Sequence, residues 1–579
     1  MGKIQNFFAL ISLIGANKFY VIFLVILMLI SSLLDLLSLG LIAPYISSIF
    51  ELENNQSNSF FGNFYFFNKL NQDQIILFFT IFLISIFFLK TCLSILIRWL
   101  ISLFAFKQYA KLQVKLMQAY QNMNYEDYIL RTTSEYIRNV RELCSECLSY
   151  IESTLRVLSE LIMFIAIVIF LALVNFKILI FLILTIVPIF FIYEFILKPI
   201  NVRLGKDKVE AVKQMYKNID SGIRGLKEVR ILTKENFFTD KLFFYANKIY
   251  DTQKKSSLIS DSPRYVFEFF IVSASLIVFL FLSSKNLEIK NYLPALGVFL
   301  LAGLRLLPSL SLITSSLSRI GYVQYAVKQV CDDLIKYYKD NGENNSENLE
   351  NIDTFKSIKL ENVSFNYQNV KTKVFDNLNF SIVENSCIGI TGQSGAGKTT
   401  IVDLLLGLIV PVKGKIFINN LLVKDFSSYL KGEIAYLPQE PIILDEDVKT
   451  NVSLQEDKDK IDYKKLNKAL VRANLIEVVK QLPNNIDTLI GEGGVRLSGG
   501  QNKRLALARA FYHGKNIVIM DEATSSLDIE SENYIAEQIK ELKGNVTIII
   551  ISHHNNILKY CDKIYKIEDK KIKLLNTVN

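Results

Sequence analysis

Long apolar runs decide what the first half of this chain can fold into. Before about residue 335 the sequence holds six segments, approximately 19–48, 75–97, 155–174, 177–198, 265–283 and 292–314, each near the roughly 20 apolar residues that cross about 30 Å of hydrocarbon. In lipid each backbone N–H and C=O must be satisfied within its own segment, so such runs are helices. An even number of crossings returns the chain to its starting side. The connection 198–264 carries Lys206, Lys208, Lys213, Lys217, Arg224, Lys227, Arg230 and Lys234, a basic excess that marks the cytoplasmic side. The N-terminus and everything after the last span then lie on that side. The chain has 579 residues, 51% hydrophobic, with a net charge of +9. That charge is compatible with a soluble nucleic-acid binder, but six spans exclude one and the positive-inside rule explains it.

The connections differ in kind. Residues 174–177 and 283–291 are short enough to be outer hairpins, whereas 98–155 and 198–264 have helical period and extend membrane helices into the cytosol. No cleavable signal peptide is expected, since the first 18 residues lack a small-residue cleavage pattern and the first span can serve as the insertion signal. Between spans one and two, Phe60, Phe64, Phe67 and Leu70 recur at helical spacing, as in a short amphipathic helix on the outer surface or an aromatic belt ending the flanking helices. The cysteines at 92, 144, 147, 331, 387 and 561 are scattered, and the three histidines are His513, His553 and His554. Neither set supports a disulfide framework or a histidine-built metal site. Residues 339–354 are nearly all polar and read as a linker, which sets the boundaries at 1–338 for a transmembrane domain and 355–579 for a soluble α/β domain.

The second domain alternates short apolar strands with polar helices. Gly392-Gln393-Ser394-Gly395-Ala396-Gly397-Lys398-Thr399 fits G-x-x-x-x-G-K-[ST], follows an apolar strand and opens a helix with Thr400. In that context the glycines let backbone N–H groups approach phosphates, Lys398 neutralises β/γ charge and Thr399 reaches magnesium. Ile517-Val518-Ile519-Met520 is a buried-strand run ending in Asp521-Glu522, which places one carboxylate for the magnesium shell and one to activate water. Leu497-Ser498-Gly499-Gly500-Gln501 heads a further helix and is a second anion site. Two phosphate-binding helix starts with one acidic pair imply a second protomer that completes the site.

The second domain resembles the ATP-binding cassette (ABC) family. The resemblance implies that Tyr367 stacks on adenine, that Gln439 is the Q-loop glutamine and touches the metal, that Ser525-Ser526-Leu527-Asp528 is the D-loop, and that His553 contacts the γ-phosphate. His554 stands where the family has arginine. By resemblance the chain hydrolyses ATP with Mg2+ and works as a homodimer in which Ser498 and Gly500 of one chain face the ATP held by Lys398 of the other.

A cassette behind six spans resembles the exporter arrangement. Thr488-Leu489-Ile490-Gly491-Glu492-Gly493 resembles the exporter segment that senses the membrane domain, 223–229 resembles the stretch around the second coupling helix, and the first coupling helix is expected near 122–128. Ionisable residues inside spans are costly and so are functional candidates: Asp35, Lys90, Arg98, Arg264, Glu268 and Arg305. Lys90, Arg264 and Arg305 are the candidate substrate-cavity residues; a basic cavity suits an anionic headgroup, and internal pairing with Asp35 or Glu268 is the alternative. The strings Leu33 to Tyr45, Ser262-Pro263-Arg264 and Leu304-Arg305-Leu306-Leu307-Pro308-Ser309 resemble the bacterial flippases for lipid-linked oligosaccharides, the PglK-like group. The implied cargo is a lipid-linked glycan or related anionic lipid moved across the bacterial inner membrane. Lipid A, phospholipid or drug export, and less so a peptide exporter or ATP-gated channel, remain the alternatives.

Overall fold

The computed structural model describes residues 3–50, 72–174, 176–284, 289–338, 355–367, 372–422, 433–491, 494–522, 529–553 and 555–577. The amphipathic stretch 60–70 and the polar stretch 339–354 lie outside them. The chain divides into two compact units, Met1–Met123 with Arg131–Asn341, and Asn124–Leu130 with Gly342–Asn579.

The first unit is helical. Its elements are α1 (Lys3–Ile14), α2 (Lys18–Phe50), α3 (Gln72–Gln121), α5 (Thr133–Arg138), α6 (Cys144–Val174), α7 (Phe176–Ile192), α8 (Lys198–Arg224), α9 (Leu226–Ile231), α10 (Glu235–Ser284) and α11 (Ile289–Tyr337), while α4 (Tyr125–Ile129) belongs to the other unit. The π-helical turns Asn139–Leu143 and Tyr193–Leu197 precede α6 and α8. All six expected spans fall within helices. Among the described residues three stretches are long and apolar enough to cross a membrane: Lys18–Ser38, Ile76–Gln121 and Thr133–Leu173. On α3, Phe79, Leu83 and Ile86 are buried while Ile81, Ile84 and Phe88 are exposed, so inner and outer faces are equally apolar, as a lipid solvent requires. The 50 residues of α3 span about 75 Å at 1.5 Å per residue, far more than a bilayer core.

Beyond the spans the packing changes character. Leu112 and Leu116 of α3, Cys147 and Ile151 of α6, and Val323, Ala326 and Val330 of α11 form one cluster, with Leu10, Ile11 and Ile14 of α1 packed into it. The cysteines at 144 and 147 are thus buried hydrophobes, and burial raises both thiol pKa values. Helix α8 approaches α11 so closely that a Cβ on Gly205 would lie 1.8 Å from the Tyr322 carbonyl oxygen, which only glycine permits. A polar network locks the same region. Arg131 donates to both Asp333 oxygens at 2.8 and 2.9 Å, Tyr120 donates to Asp333 at 2.7 Å, and Asn139 donates to the Tyr120 hydroxyl at 2.9 Å.

The second unit holds two sheets. The antiparallel one has the order β2-β1-β4-β5, from β1 (Ser357–Phe365), β2 (Phe375–Val383), β4 (Lys413–Ile418) and β5 (Leu421–Leu422). The mainly parallel one has the order β10-β9-β3-β8-β7-β6, from β3 (Cys387–Gly392), β6 (Ile434–Leu437), β7 (Ile517–Asp521), β8 (Thr547–Ile551), β9 (Lys563–Glu568) and β10 (Lys571–Thr577). Strands β7 and β8 are buried at every position, which accounts for their unbroken apolar runs. One face of this sheet, carrying Ile517, Ile519, Ile549 and Ile551, packs on helix α12 (Lys398–Leu405) through Ile401 and Leu405. The other face, with Val518, Met520, Ile548 and Ile550, packs on the helix Gly499–His513 through Leu505 and Ala508. The functional loops leave the carboxyl ends of β3, β6, β7 and β8, where α/β sheets hold their ligands.

Candidate functional site

The loop between β3 and α12 is shaped by glycine. Gly395 has φ +79° and Gly397, the residue before α12, has φ +103°, and a Cβ on Gly397 would lie 2.9 Å from Val374 Cγ1. Both backbones occupy the region that favours glycine. The turn closes with the Ala396 N–H on the Gln393 carbonyl at 3.1 Å, leaving Gln393, Ser394 and Gly395 exposed above it. Lys398 and Thr399 begin α12, so their side chains rise at the helix N-terminus, where the dipole favours an anion.

Three predicted residues from three elements converge on the carboxylate of a fourth, Glu522. Glu522, one residue beyond β7, accepts from Gln439 Nε2 at 2.9 Å through Oε2, and its Oε1 lies 3.7 Å from Lys398 Nζ and 3.4 Å from His553 Nε2. Lys398 also donates to the Gly392 carbonyl at 3.0 Å and is in hydrogen-bond contact with His553. Glu522 has φ +49°, a left-handed backbone that costs a non-glycine residue about 1–3 kcal/mol. Two hydrogen bonds hold it there: its N–H donates to the Ile551 carbonyl at 2.9 Å, and Lys503 donates to its carbonyl at 3.1 Å. Burial lowers the Lys503 pKa against the opposing pull of Glu522. Strain at the residue expected to activate water is where pre-organisation is commonly stored.

Asp521 ends β7 and is almost fully buried, and burial, then the Glu522 charge, raise its pKa. Thr399, Asp521 and Gln439 offer a hydroxyl, a carboxylate and an amide oxygen beside the same cluster, an all-oxygen donor set that suits Mg2+. Thr400 is turned inward and shares a 3.0 Å hydrogen bond with the Tyr367 hydroxyl. The Tyr367 ring stands edge-on to Phe365 with centroids 5.1 Å apart. The adenine-stacking candidate is thereby tied to the base of α12.

The signature segment folds on itself. Ser498 caps the helix Gly499–His513 by accepting from Gln501 N–H at 3.3 Å, and the Gln501 side chain returns to the Ser498 N–H at 2.8 Å. This capping box leaves Gly499 and Gly500 at the helix start. Asp528, the rest of the D-loop, Glu492, Gly493 and His554 lie outside the described residues. Where the first coupling helix is expected the chain forms the short helix α4, whose Glu126 Oε1 accepts the Val410 N–H at 3.4 Å and whose Tyr125 packs on the core of the same unit.

In the helical unit a cavity of about 420 Å³ is lined by Ser31, Asp35, Lys90, Arg98, Arg156 and Glu160 among others. Lys90 lines it but forms an ion pair with Asp35, so internal pairing is what the structure shows for that residue. Arg264 lies exposed on α10 and is not among the residues lining this cavity, whereas Phe267 of the same helix is buried. Arg305 belongs to α11, and its side chain lies outside the described residues. Sequence reasoning missed Arg156 and Glu160. Their signal is two charges about one turn apart at the start of the third span, where ionisable residues are functional candidates.

Comparison with known proteins agrees with this architecture. Residues 375–525 match the family model described as ABC transporter. The chain is 28% identical over 396 residues, 67% of this chain and 65% of the relative, to an ATP-dependent lipid A-core flippase of Haemophilus influenzae (strain 86-028NP). It is 35% identical over 216 residues to one from Burkholderia orbicola (strain AU 1054), and 33% identical over 217 residues to ABC transporter B family member 21 of Arabidopsis thaliana. These cover 37% of this chain in both cases and 36% and 17% of the relatives, so the aligned regions span less than two thirds of each relative's length. A bacterial Atm1-family ABC exporter with ATP bound superposes with a TM-score of 0.80 at 17% identity, covering 96% of this chain and 94% of that one. The chain therefore carries an ABC transporter cassette fused to a helical transmembrane domain and has the ABC exporter fold.

Proposed function

We propose that this chain is a homodimeric, ATP-driven flippase of the bacterial inner membrane, with its N-terminus and cassette in the cytoplasm, that carries an amphiphile with an anionic glycan headgroup to the outer side. The observation that carries the reading is the convergence of Lys398, Gln439 and His553 on Glu522 beneath a glycine-shaped phosphate loop, in a chain whose helical unit contains a polar cavity. The backbone from Gly392 to Thr399 cradles phosphates, with Ser394 and Gly395 presenting N–H groups above the turn that Ala396 closes and Lys398 neutralising charge. Lys398, released from Glu522 by the incoming phosphate, leaves the carboxylate free to accept a proton from the attacking water. Gln439 and His553 then position that water and the γ-phosphate. Thr399, Asp521 and Gln439 would hold Mg2+, which supplies charge neutralisation on the β/γ oxygens when bound. Ser498, Gly499, Gly500 and Gln501 of the second protomer would close over the nucleotide, with Asp528 at the dimer seam and Tyr367 on the adenine side. The capping box keeps the Ser498 segment ordered.

For the cargo, the lipid-linked oligosaccharide reading rests on the local strings in the first, fifth and sixth spans, and the lipid A reading on the names of the bacterial relatives. Both cargoes are anionic glycolipids, and three basic side chains against two acidic ones in the cavity lining favour an anion over a neutral drug. The test is reconstitution into liposomes with labelled lipid-linked oligosaccharide, lipid A and a hydrophobic drug in competition. ATP-dependent flipping of an anionic glycolipid is expected. Transport of the drug alone, or ion leak without flipping, would sink the proposal.

A further inference from the structure

Tyr436 is absent from every motif so far considered, yet the sheet places it beside the metal-facing carboxylate. Strand β6 runs parallel to β7 with Tyr436 opposite Ile519. In a strand, side chains two residues apart share a face, so Ile519 and Asp521 point to the same side of β7, and Tyr436 points there from the neighbouring strand. That is the side covered by α12, as the packing of Ile519 against Ile401 and Leu405 shows. The Tyr436 hydroxyl and the Asp521 carboxylate lie near enough on this face for each to shift the other's proton affinity. A phenol keeps its proton at neutral pH, so toward a carboxylate the Tyr436 hydroxyl can only donate.

The surroundings restrict what this pairing can be for. Asp403, on α12, is 5% exposed and close enough to raise the proton affinity of Tyr436. Tyr125 of α4 and Tyr367 add two further phenols to the same face, and both are near enough to Asp403 for its charge to raise their pKa values. Asp521 is thus buried among acidic and phenolic groups, with the Lys398 charge as its cationic neighbour. A carboxylate so placed has several ways to turn, and only some direct a free oxygen toward Thr399 and the phosphate loop. Occupying one oxygen with a hydroxyl donor leaves the other for a divalent ion, as outer partners of ligating carboxylates commonly do.

We propose that Tyr436 is a positioning residue that orients Asp521 for the divalent cation, so that the end of β6 contributes to metal affinity as well as carrying Gln439 three residues later. The inference rests on Asp521 being the metal-facing carboxylate. Tyr436→Phe removes only the hydroxyl and keeps the ring on its strand. In the full-length chain, binding of Mn2+ in the presence of a non-hydrolysable ATP analogue, followed by electron paramagnetic resonance, should weaken by about 10-fold or more. The KM for Mg2+ in hydrolysis should rise with it, while kcat at saturating Mg2+ stays within about twofold of wild type and nucleotide binding in EDTA is unchanged. Tyr436→His, which returns a donor on a ring, should recover part of the Mn2+ affinity. Wild-type Mn2+ affinity in Tyr436→Phe overturns the proposal, and so does a parallel loss of EDTA binding, which would give Tyr436 a role in shaping the nucleotide site. A wild-type chain that binds nucleotide but no Mn2+ overturns the assignment of Asp521 as well, and one that binds neither overturns the ATPase reading.

Discussion

A lysine meets a carboxylate in each unit, and the two meetings differ in their surroundings. In the cassette Lys398 shares Glu522 with Gln439 and His553, and it has the Gly392 carbonyl as a further acceptor. In the helical unit Lys90 is held by Asp35, whose side chain is 2% exposed, with the Phe87 ring 5.2 Å from the ammonium. A shared carboxylate at a water-accessible loop cluster can change partners when a phosphate arrives. A pair in an apolar span gives up its partner only at the cost of leaving a charge in a medium that solvates it poorly. The first arrangement suits a site whose contacts are exchanged, the second a fixed wall. The comparison explains why the flanking Arg98 and Arg156, and not Lys90, are the cavity's accessible cations.

The largest effect that tests this contrast lies in the cassette. Glu522→Gln keeps the shape and the Gln439 contact but cannot accept a proton, so kcat for ATP hydrolysis should fall by about 10²–10⁴ while ATP is retained. Turnover near the wild-type rate would show that the convergence on Glu522 is structural only. In the helical unit, Asp35→Asn strands the Lys90 ammonium and should destabilise the protein in detergent by about 3 kcal/mol. The pair Asp35→Asn with Lys90→Met should lie closer to wild type than the sum of the single changes. Additive losses in thermal unfolding would mean that the two charges do not depend on each other.

The smallest effect concerns Asp403, whose pKa is raised to about 6 by burial and then by the Asp521 charge. A raised carboxyl pKa means that the folded cassette still holds a proton that the unfolded chain has released above about pH 4. The stability this carries is complete below that pH and lost as pH rises through about 6. Asp403→Asn should therefore raise stability by ~1 kcal/mol at pH 7.5, and the gain should shrink steadily as the pH is lowered toward 4. A gain independent of pH would place its origin outside this carboxyl.

How much was legible depends on how local each signal is. The phosphate loop, Asp521-Glu522 and the helix start at Ser498 are contiguous strings whose chemistry needs neighbours in sequence, and the structure places each on the expected element. Asp403 and Tyr436 carry no local signal, because their meaning comes from a strand register and from the helix packed over that sheet face. In the helical unit the depth of a charge was readable, but its azimuth was not. Arg264 and Lys90 sit in comparable apolar contexts, yet α10 turns one outward and α3 turns the other toward Asp35. Hydropathy has no period that distinguishes a lipid-facing from a cavity-facing position when both faces are apolar.

By itself the sequence determined the division into a helical and an α/β unit, the long apolar helices and the order of the glycine-rich, Asp521-Glu522 and Ser498 segments, because each follows from apolar length or from a contiguous backbone requirement. The tertiary structure decided which side chains meet. It paired Lys90 with Asp35, brought Lys398, Gln439 and His553 to a strained Glu522, turned Ser498 into its own helix cap and set Tyr436 beside Asp521. These contacts join residues up to 155 positions apart, as Lys398 and His553 are, and only the packing of sheet faces and helices against one another fixes such distances.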